Sequence, residues 1–363
     1  MPAPISPSGA DAVVLGDQAE CSGAPTRSAQ HGSHAQPGGG PNGASSGVPN
    51  NGRTPARSMP GPHMPRVMLD HLTTEARNPA SEGLESLSTV QIVQVMNAED
   101  RKVAEAVGRQ TEAIARVVDE AADRLSRGGR IVYQGAGTSG RLGVLDAAEC
   151  PPTFNTESWQ VVGLIAGGRD ALTTAIEGAE DNPELGAQDL RDIDLGKHDL
   201  LVGIATSGRT PYVVGGLRYA RQVGAYTVAL SCNADAEISG LADTAITPVV
   251  GPEVLSGSTR LKAGTATKLV LNMITTGAMV RLGKTFGNLM IDLRPTNSKL
   301  WSRAVRIVGQ ATGIEPDAAS DLLDRCDGEV KVAIVACLTE SAPDEARRRL
   351  AAAGGLVASA VNR

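Results

Sequence analysis

The chain has 363 residues, of which 34 are basic and 40 acidic, and its formal net charge is −6. Because there is no basic excess, binding to nucleic acid or to an anionic membrane surface is disfavoured. Hydrophobic residues make up 41% of the sequence but aromatic residues only 2%. A core built from aliphatic side chains favours α/β layers over an aromatic-rich β-sandwich.

Histidine and cysteine usage limits the available chemistry. Four of the five histidines lie in the first 71 residues, and only His198 falls in the body of the chain. The five cysteines contain no CxxC pair, which argues against a disulfide framework or a structural zinc site. We expect reduced thiols and a cytoplasmic protein. No apolar run approaches the roughly 20 residues of a membrane-spanning helix, and no secretory signal is expected.

The N-terminal segment differs in composition from the rest of the chain. Its first 60 residues contain 27 that are Gly, Pro or Ser, and none that is aromatic. Such a segment buries too little apolar surface to offset the loss of chain entropy on folding. We therefore expect residues 1–65 to form a disordered tail.

The body of the chain alternates between helical and strand patterns. Apolar residues recur at helical spacing from Ser88 to Leu125 and predict one long amphipathic helix, ended by Gly128 and Gly129. Short, continuous apolar runs then predict parallel strands covered on both faces. Strands are predicted at 130–134, 161–166, 200–206, 226–232 and 244–250. Helices are predicted at 171–179, 211–223 and 258–282, and four short ones follow residue 297.

A glycine-rich loop, Gly135–Gly140 (GAGTSG), follows the first predicted strand and begins a helix. Its glycines allow close backbone approach, and the helix N-terminus offers N–H donors to an anion. A dinucleotide site also needs an acidic residue at the end of the next strand, where this chain has AGGR at 166–169. Thr138, Ser139 and Gly140 instead favour a phosphate monoester, with a tight turn that binds no ligand as the alternative.

A second loop, TSGRT at 206–210, follows the third predicted strand. Ligands of open parallel sheets bind at the carboxyl ends of the strands. We therefore expect Ser207, Gly208 and Thr210 to contribute to the same phosphate site. A helix cap is the alternative for either hydroxyl, and it explains the SGSTR segment at 256–260 equally well.

Carboxylates are the remaining candidates for acid–base catalysis. Glu149 lies near the end of the helix that the glycine-rich loop begins. The helix dipole there, and any burial, would disfavour an ionised carboxylate, which suits a proton donor. Glu180 is predicted at a comparable position, at the end of the next helix. A solvated helix end is the alternative for both residues.

Several long motifs resemble those of the N-acetylmuramic acid 6-phosphate etherases. They are GAGTSGRLGVLDAAECPPT at 135–153, AIEGAEDN, SGRTPYVVGGLRYARQ, GSTRLKAGTATKLVLNM and GKTFGNLMIDLRPTN. The resemblance extends from about residue 73 to the C-terminus. It implies a sugar isomerase (SIS) fold at 66–296, with a five-stranded parallel sheet between helices and N-terminal dimerisation helices. It also implies a small helical domain at 297–363, similar to ubiquitin-associated domains.

The resemblance also implies an activity. Members of the family are cytoplasmic homodimers of cell-wall recycling. They use water to cleave the lactyl ether of N-acetylmuramic acid 6-phosphate, giving N-acetylglucosamine 6-phosphate and D-lactate, without a metal or an organic cofactor. By this resemblance Glu149 is the proton donor and Glu180 the second acid/base, and Ser139, Ser207 and Thr210 match phosphate-binding positions of the wider superfamily.

This chemistry is expected to proceed by elimination across C2 and C3, followed by addition of water at C3. The alternative functions on the same fold are a sugar-phosphate isomerase and a non-catalytic sugar-phosphate sensor. Arg141 and Lys262 remain unassigned, since each could bind the phosphate or pair with an acidic residue.

Overall fold

The computed structural model describes residues 73–293, 295 and 297–362. The tail expected at residues 1–65 lies outside these ranges. The strands of the main sheet are β1 (Ile131–Gly135), β2 (Val161–Ile165), β3 (Leu200–Ile204), β4 (Tyr226–Leu230) and β5 (Thr244–Ile246). The helices among them are α1 (Thr89–Gly108), α2 (Thr111–Ser126), α3 (Gly137–Phe154), α4 (Pro183–Asp192), α5 (Pro211–Val223) and α6 (Lys262–Arg281).

The five strands form one parallel sheet in the order β2-β1-β3-β4-β5. Alternate side chains of a strand point to opposite faces, so Ile131 and Tyr133 join the core beneath α1, α2, α3 and α6. Val132 faces the other way and joins the core beneath α4 and α5. Both faces are therefore covered by helices, and the predicted α/β fold with a five-stranded parallel sheet is confirmed.

Two predicted helices are wrong in detail. The helix expected from Ser88 to Leu125 is broken between Gly108 and Thr111. At this break, the Gln110 side chain accepts a hydrogen bond from the Thr247 N–H at 3.0 Å. Glycine is also a poor helix former. The helix expected at 171–179 is absent, and only the two ends of this stretch belong to short 3₁₀ segments, Arg169–Leu172 and Ala179–Asp181.

The C-terminal region is helical, as expected. A two-stranded hairpin of β6 (Thr285–Phe286) and β7 (Leu289–Met290) precedes it. Five helices follow: α7 (Ser298–Thr312), α8 (Pro316–Arg325), α9 (Val330–Leu338), α10 (Pro343–Ala352) and α11 (Val357–Val361). They enclose a hydrophobic core of their own. In the part of the chain that the structure describes, none of the helices has the length and apolarity to cross a membrane.

Candidate active site

The chain reverses its winding direction at the carboxyl ends of β1 and β3. These strands are neighbours, but α3 leaves β1 on one face of the sheet and α5 leaves β3 on the other. The two connections therefore separate and leave a crevice, which is where doubly wound sheets bind ligands. Both hydroxyl-bearing loops lie at this crevice.

The first loop places the N-terminus of α3 directly at the sheet edge. A Cβ on Gly140 would lie 2.6 Å from the Gly135 carbonyl oxygen and 2.7 Å from Cγ1 of Ile165, so only glycine allows this approach. The residue before the helix, Ala136, offers no side-chain cap. The first-turn N–H groups of α3 are thus available to an anion. Ser139 is 7% exposed at this position.

The second loop is shaped by Gly208, whose φ of +78° is unfavourable for other residues. Its N–H donates to the Ala205 carbonyl at 2.8 Å, and its own carbonyl accepts from the Ile238 N–H at 3.0 Å. The half-buried Ser207 and Thr210 flank it. Thr210 precedes α5 but its side chain does not cap the helix, so the capping alternative is not realised.

The predicted phosphate-binding hydroxyls share one property. In the described part of the chain they make no hydrogen bond to another residue. They are those of Thr138, Ser139, Ser207 and Thr210. The crevice therefore combines unengaged hydroxyls with the N-terminus of a helix, a donor set that suits a phosphate group.

Ser256, in the segment at 256–260, has a structural role instead. The Ser256 hydroxyl donates to the Ala76 carbonyl at 2.9 Å. Just before this segment, the buried Glu253 carboxylate accepts from the N–H groups of Lys262 and Ala263, both at 2.9 Å. Burial raises the pKa of Glu253, and these two bonds oppose the rise. Glu253 thereby caps α6 in place of the expected hydroxyls.

Lys262 also has a structural role. Its side chain is 1% exposed, and its Nζ lies 2.7 Å from a carboxylate oxygen of Glu99 on α1 and 3.0 Å from the Val250 carbonyl. Burial alone would raise the pKa of Glu99, but hydrogen bonds from Lys102, Lys262 and Asn78 lower it to about 2. The lysine is therefore committed to an ion pair that joins α1 to α6.

Glu180 lies at the carboxyl edge of the sheet, in the 3₁₀ segment Ala179–Asp181. It lines a cavity of about 140 Å³ together with Ala136, Gly137 and Arg141. The prediction that Glu180 ends a helix is wrong, because it lies inside this short 3₁₀ segment, just before α4. The cavity brings Glu180 together with Ala136 and Gly137 of the glycine-rich loop.

Glu149 does not lie at the carboxyl edge of the sheet. It is exposed on α3, ten residues after Ser139, which corresponds to about 15 Å along a helix that rises 1.5 Å per residue. The helix runs back across the sheet, so Glu149 is near the opposite edge. Its exposure agrees with the alternative of a solvated helix end. The structure brings the hydroxyl loops and Glu180 to one edge but does not bring Glu149 to them.

A buried carboxylate that the sequence analysis missed lies one helical turn before Glu149. Asp146 is 6% exposed, and its Oδ1 accepts from Asn272 Nδ2 at 2.6 Å and from the Thr275 hydroxyl at 3.3 Å, both on α6. Burial raises the pKa of Asp146 and the two bonds oppose the rise. An acidic residue followed at helical spacing by another, in DAAE, was the available signal.

Comparison with known proteins first identifies the fold class of the chain. A model of the SIS domain matches residues 183–277, and a model of the glucokinase regulatory protein N-terminal SIS domain matches residues 112–221. Among solved structures, phosphoheptose isomerase from Neisseria gonorrhoeae is 20% identical with a TM-score of 0.41, covering 52% of this chain and 98% of its own. The fold is that of a SIS domain.

Relatives that are matched over most of their length identify the family within this fold class. The chain is 59% identical to N-acetylmuramic acid 6-phosphate etherase of Rhodopirellula baltica, over 78% of this chain and 93% of that protein. It is 56% identical to the protein of that name from Brucella anthropi, over 81% and 96% of the two chains. The chain belongs to the N-acetylmuramic acid 6-phosphate etherase family, as its motifs indicated.

Proposed function

We propose that this protein uses water to cleave the D-lactyl ether of N-acetylmuramic acid 6-phosphate, giving N-acetylglucosamine 6-phosphate and D-lactate. The observation that carries the proposal is its 59% identity to a relative of that name across 93% of the relative's length. The crevice supports it, because a helix N-terminus and four unengaged hydroxyls suit the 6-phosphate. Binding energy at this remote group then orients C2 and C3 of the sugar.

The proposed reaction needs two acid–base groups. In the open-chain sugar, the neighbouring C1 aldehyde acidifies the proton at C2. A base removes that proton, the C3–O bond breaks, and an acid protonates the departing lactate oxygen. Water then adds across the C2–C3 double bond, with its oxygen on C3 and a proton on C2. We assign Glu149 to the lactate oxygen and the water, and Glu180 to C2 or to ring opening; each such role contributes about 10²- to 10⁴-fold in rate.

We further propose a homodimer in which each active site takes Glu149 from the partner subunit. A separation of about 15 Å along α3 is too long for Glu149 to act on a sugar held by its own chain's loops, because an acid or base must reach hydrogen-bond distance. The face of α3 around Glu149 carries Leu145, which is 53% exposed, and the adjacent α6 carries Met273, which is 45% exposed. A second copy would cover these apolar side chains.

We also propose a domain boundary at residue 297 and a cytoplasmic location. The C-terminal helices have a separate hydrophobic core, which supports an independent UBA-like domain.

Two observations support the cytoplasmic location. The proposed substrate is a phosphorylated sugar, and the cysteines in the described ranges are free thiols, as expected in a reducing compartment.

The test is D-lactate release from N-acetylmuramic acid 6-phosphate in H₂¹⁸O, with wild type and Glu149→Ala side by side. We expect lactate, ¹⁸O at C3 of the sugar, and loss of turnover in the variant. Label in the lactate instead would mean that a different C–O bond breaks. An isomeric sugar phosphate as product would support an isomerase, and binding without turnover a sensor.

A further inference from the structure

Arg141 is a cation beside Glu180 whose charge is not used by the protein. It lies in the first turns of α3, is half-buried, and lines the cavity that also contains Glu177 and Glu180. Its Nε donates to the Leu172 carbonyl at 3.0 Å. Across the described ranges, no carboxylate oxygen lies within 4.0 Å of its side-chain nitrogens. The backbone bond holds the guanidinium in place and leaves its two terminal nitrogens to a ligand.

The cavity adjoins the glycine-rich loop, since Ala136 and Gly137 line it together with Arg141. The hydroxyl loops follow β1 and β3, whereas the cavity is lined from the β2 side by Ala166, Ala171 and Ile176. A sugar whose phosphate occupies the crevice would therefore reach into the cavity with a different substituent. A guanidinium there favours an anionic, planar substituent, since its parallel N–H groups match a carboxylate in a two-bond arrangement.

The proposed substrate carries one such group besides its phosphate, the carboxylate of the lactyl ether. We propose that Arg141 binds this carboxylate and thereby selects lactyl ethers. This inference rests on the proposed function and deepens it, because it assigns the residue that recognises the leaving group. The carboxylate keeps its charge throughout, and its pairing with Arg141 fixes the lactyl group in the site.

Two chemically matched ligands separate this role from phosphate binding. The first is the lactyl amide of the substrate, which keeps the ether and the phosphate but removes the carboxylate charge. The second is N-acetylglucosamine 6-phosphate, which keeps the phosphate and lacks the lactyl group. Kinetics would be measured for wild type, Arg141→Ala and Arg141→Lys. The matched control is Arg169→Ala, which removes a nearby exposed guanidinium that does not line the cavity.

We expect Arg141→Ala to lower kcat/KM for the acid substrate by about 10- to 100-fold, the range for lost hydrogen bonds to a charged group. Wild type should disfavour the amide by a similar factor, and Arg141→Ala should lose this preference. Inhibition by N-acetylglucosamine 6-phosphate should stay unchanged. Arg141→Lys should keep part of the preference, and Arg169→Ala should behave as wild type.

The results that would contradict this inference differ from the result that would contradict the proposed function. If Arg141→Ala weakens inhibition by N-acetylglucosamine 6-phosphate as much as it weakens turnover, Arg141 binds the phosphate and the inference is overturned. If both variants lower turnover of acid and amide equally, the residue only supports the loop that contains Leu172. Should Arg141→Ala not fold, the acid-to-amide preference of wild type and Arg141→Lys still decides. No turnover of either ether by wild type would instead overturn the proposed function.

Discussion

Mixing two inactive variants tests which subunit supplies Glu149. Glu149→Ala and Glu180→Ala should each lose at least about 10²-fold in rate, the lower limit for removal of an acid–base group. In a mixed dimer, the Glu149→Ala subunit keeps Glu180 and receives the partner subunit's Glu149, so one of the two sites is complete. Random exchange of equal amounts makes about half of the dimers mixed, so about a quarter of the wild-type sites should return.

The assay is enzymatic detection of D-lactate, first on co-refolded mixtures and then on mixed dimers isolated with two different affinity tags. Isolated mixed dimers should have about half of the wild-type activity, because one site in two is complete. A mixture of Glu149→Ala with the double variant is the control, since no arrangement of its subunits contains both glutamates in one site. Isolated mixed dimers that are no more active than their parents would refute the reasoning from the 15 Å separation along α3.

Three further predictions concern the buried ion pair and the phosphate crevice. Lys262→Met should lower the free energy of unfolding in urea by about 3–5 kcal/mol, because it removes the buried partner of the Glu99 carboxylate. Lys102→Met, at a side chain that is 61% exposed, should cost far less. The pKa of Glu99 is lowered from 4.5 to about 2, so its contribution to stability is present above pH 4.5 and is lost as the pH falls towards 2; Glu99→Gln should remove this part of the acid dependence of the urea midpoint. Ser207→Ala should raise KM and weaken competition by inorganic phosphate by about 10-fold, the value of one hydrogen bond to an anion, without changing the melting temperature.

The sheet could be predicted from the sequence because its signal is local. Each strand is a short continuous apolar run, and the central strands β1, β3 and β4 are buried on both faces in the structure. The same reasoning failed where distant contacts decide the conformation. The break before Thr111 depends on a hydrogen bond between Gln110 and Thr247, which lie 137 residues apart. At Gly178 the chain adopts a φ of +74°, which ends any helix before Glu180.

The site was only partly predictable for a related reason. The hydroxyl loops could be located because every strand of a parallel sheet ends at the same edge. The place of Glu180 depended on which local structure precedes α4, and the role of Lys262 depended on a carboxylate 163 residues earlier. Neither follows from spacing along the chain.

The position of Glu149 is fixed by its own subunit, and this strengthens the argument for a second one. The helix that carries it is held to the sheet at Gly163, where a Cβ would lie 2.5 Å from the Cα of Val144. It is held to α6 by the partly buried hydrogen bond that Asn272 donates to Asp146. To bring Glu149 to Glu180 within one chain, α3 would have to leave both contacts and expose its core. A closely packed interior resists such a shift, so a second copy of α3 is the simpler source of the missing acid.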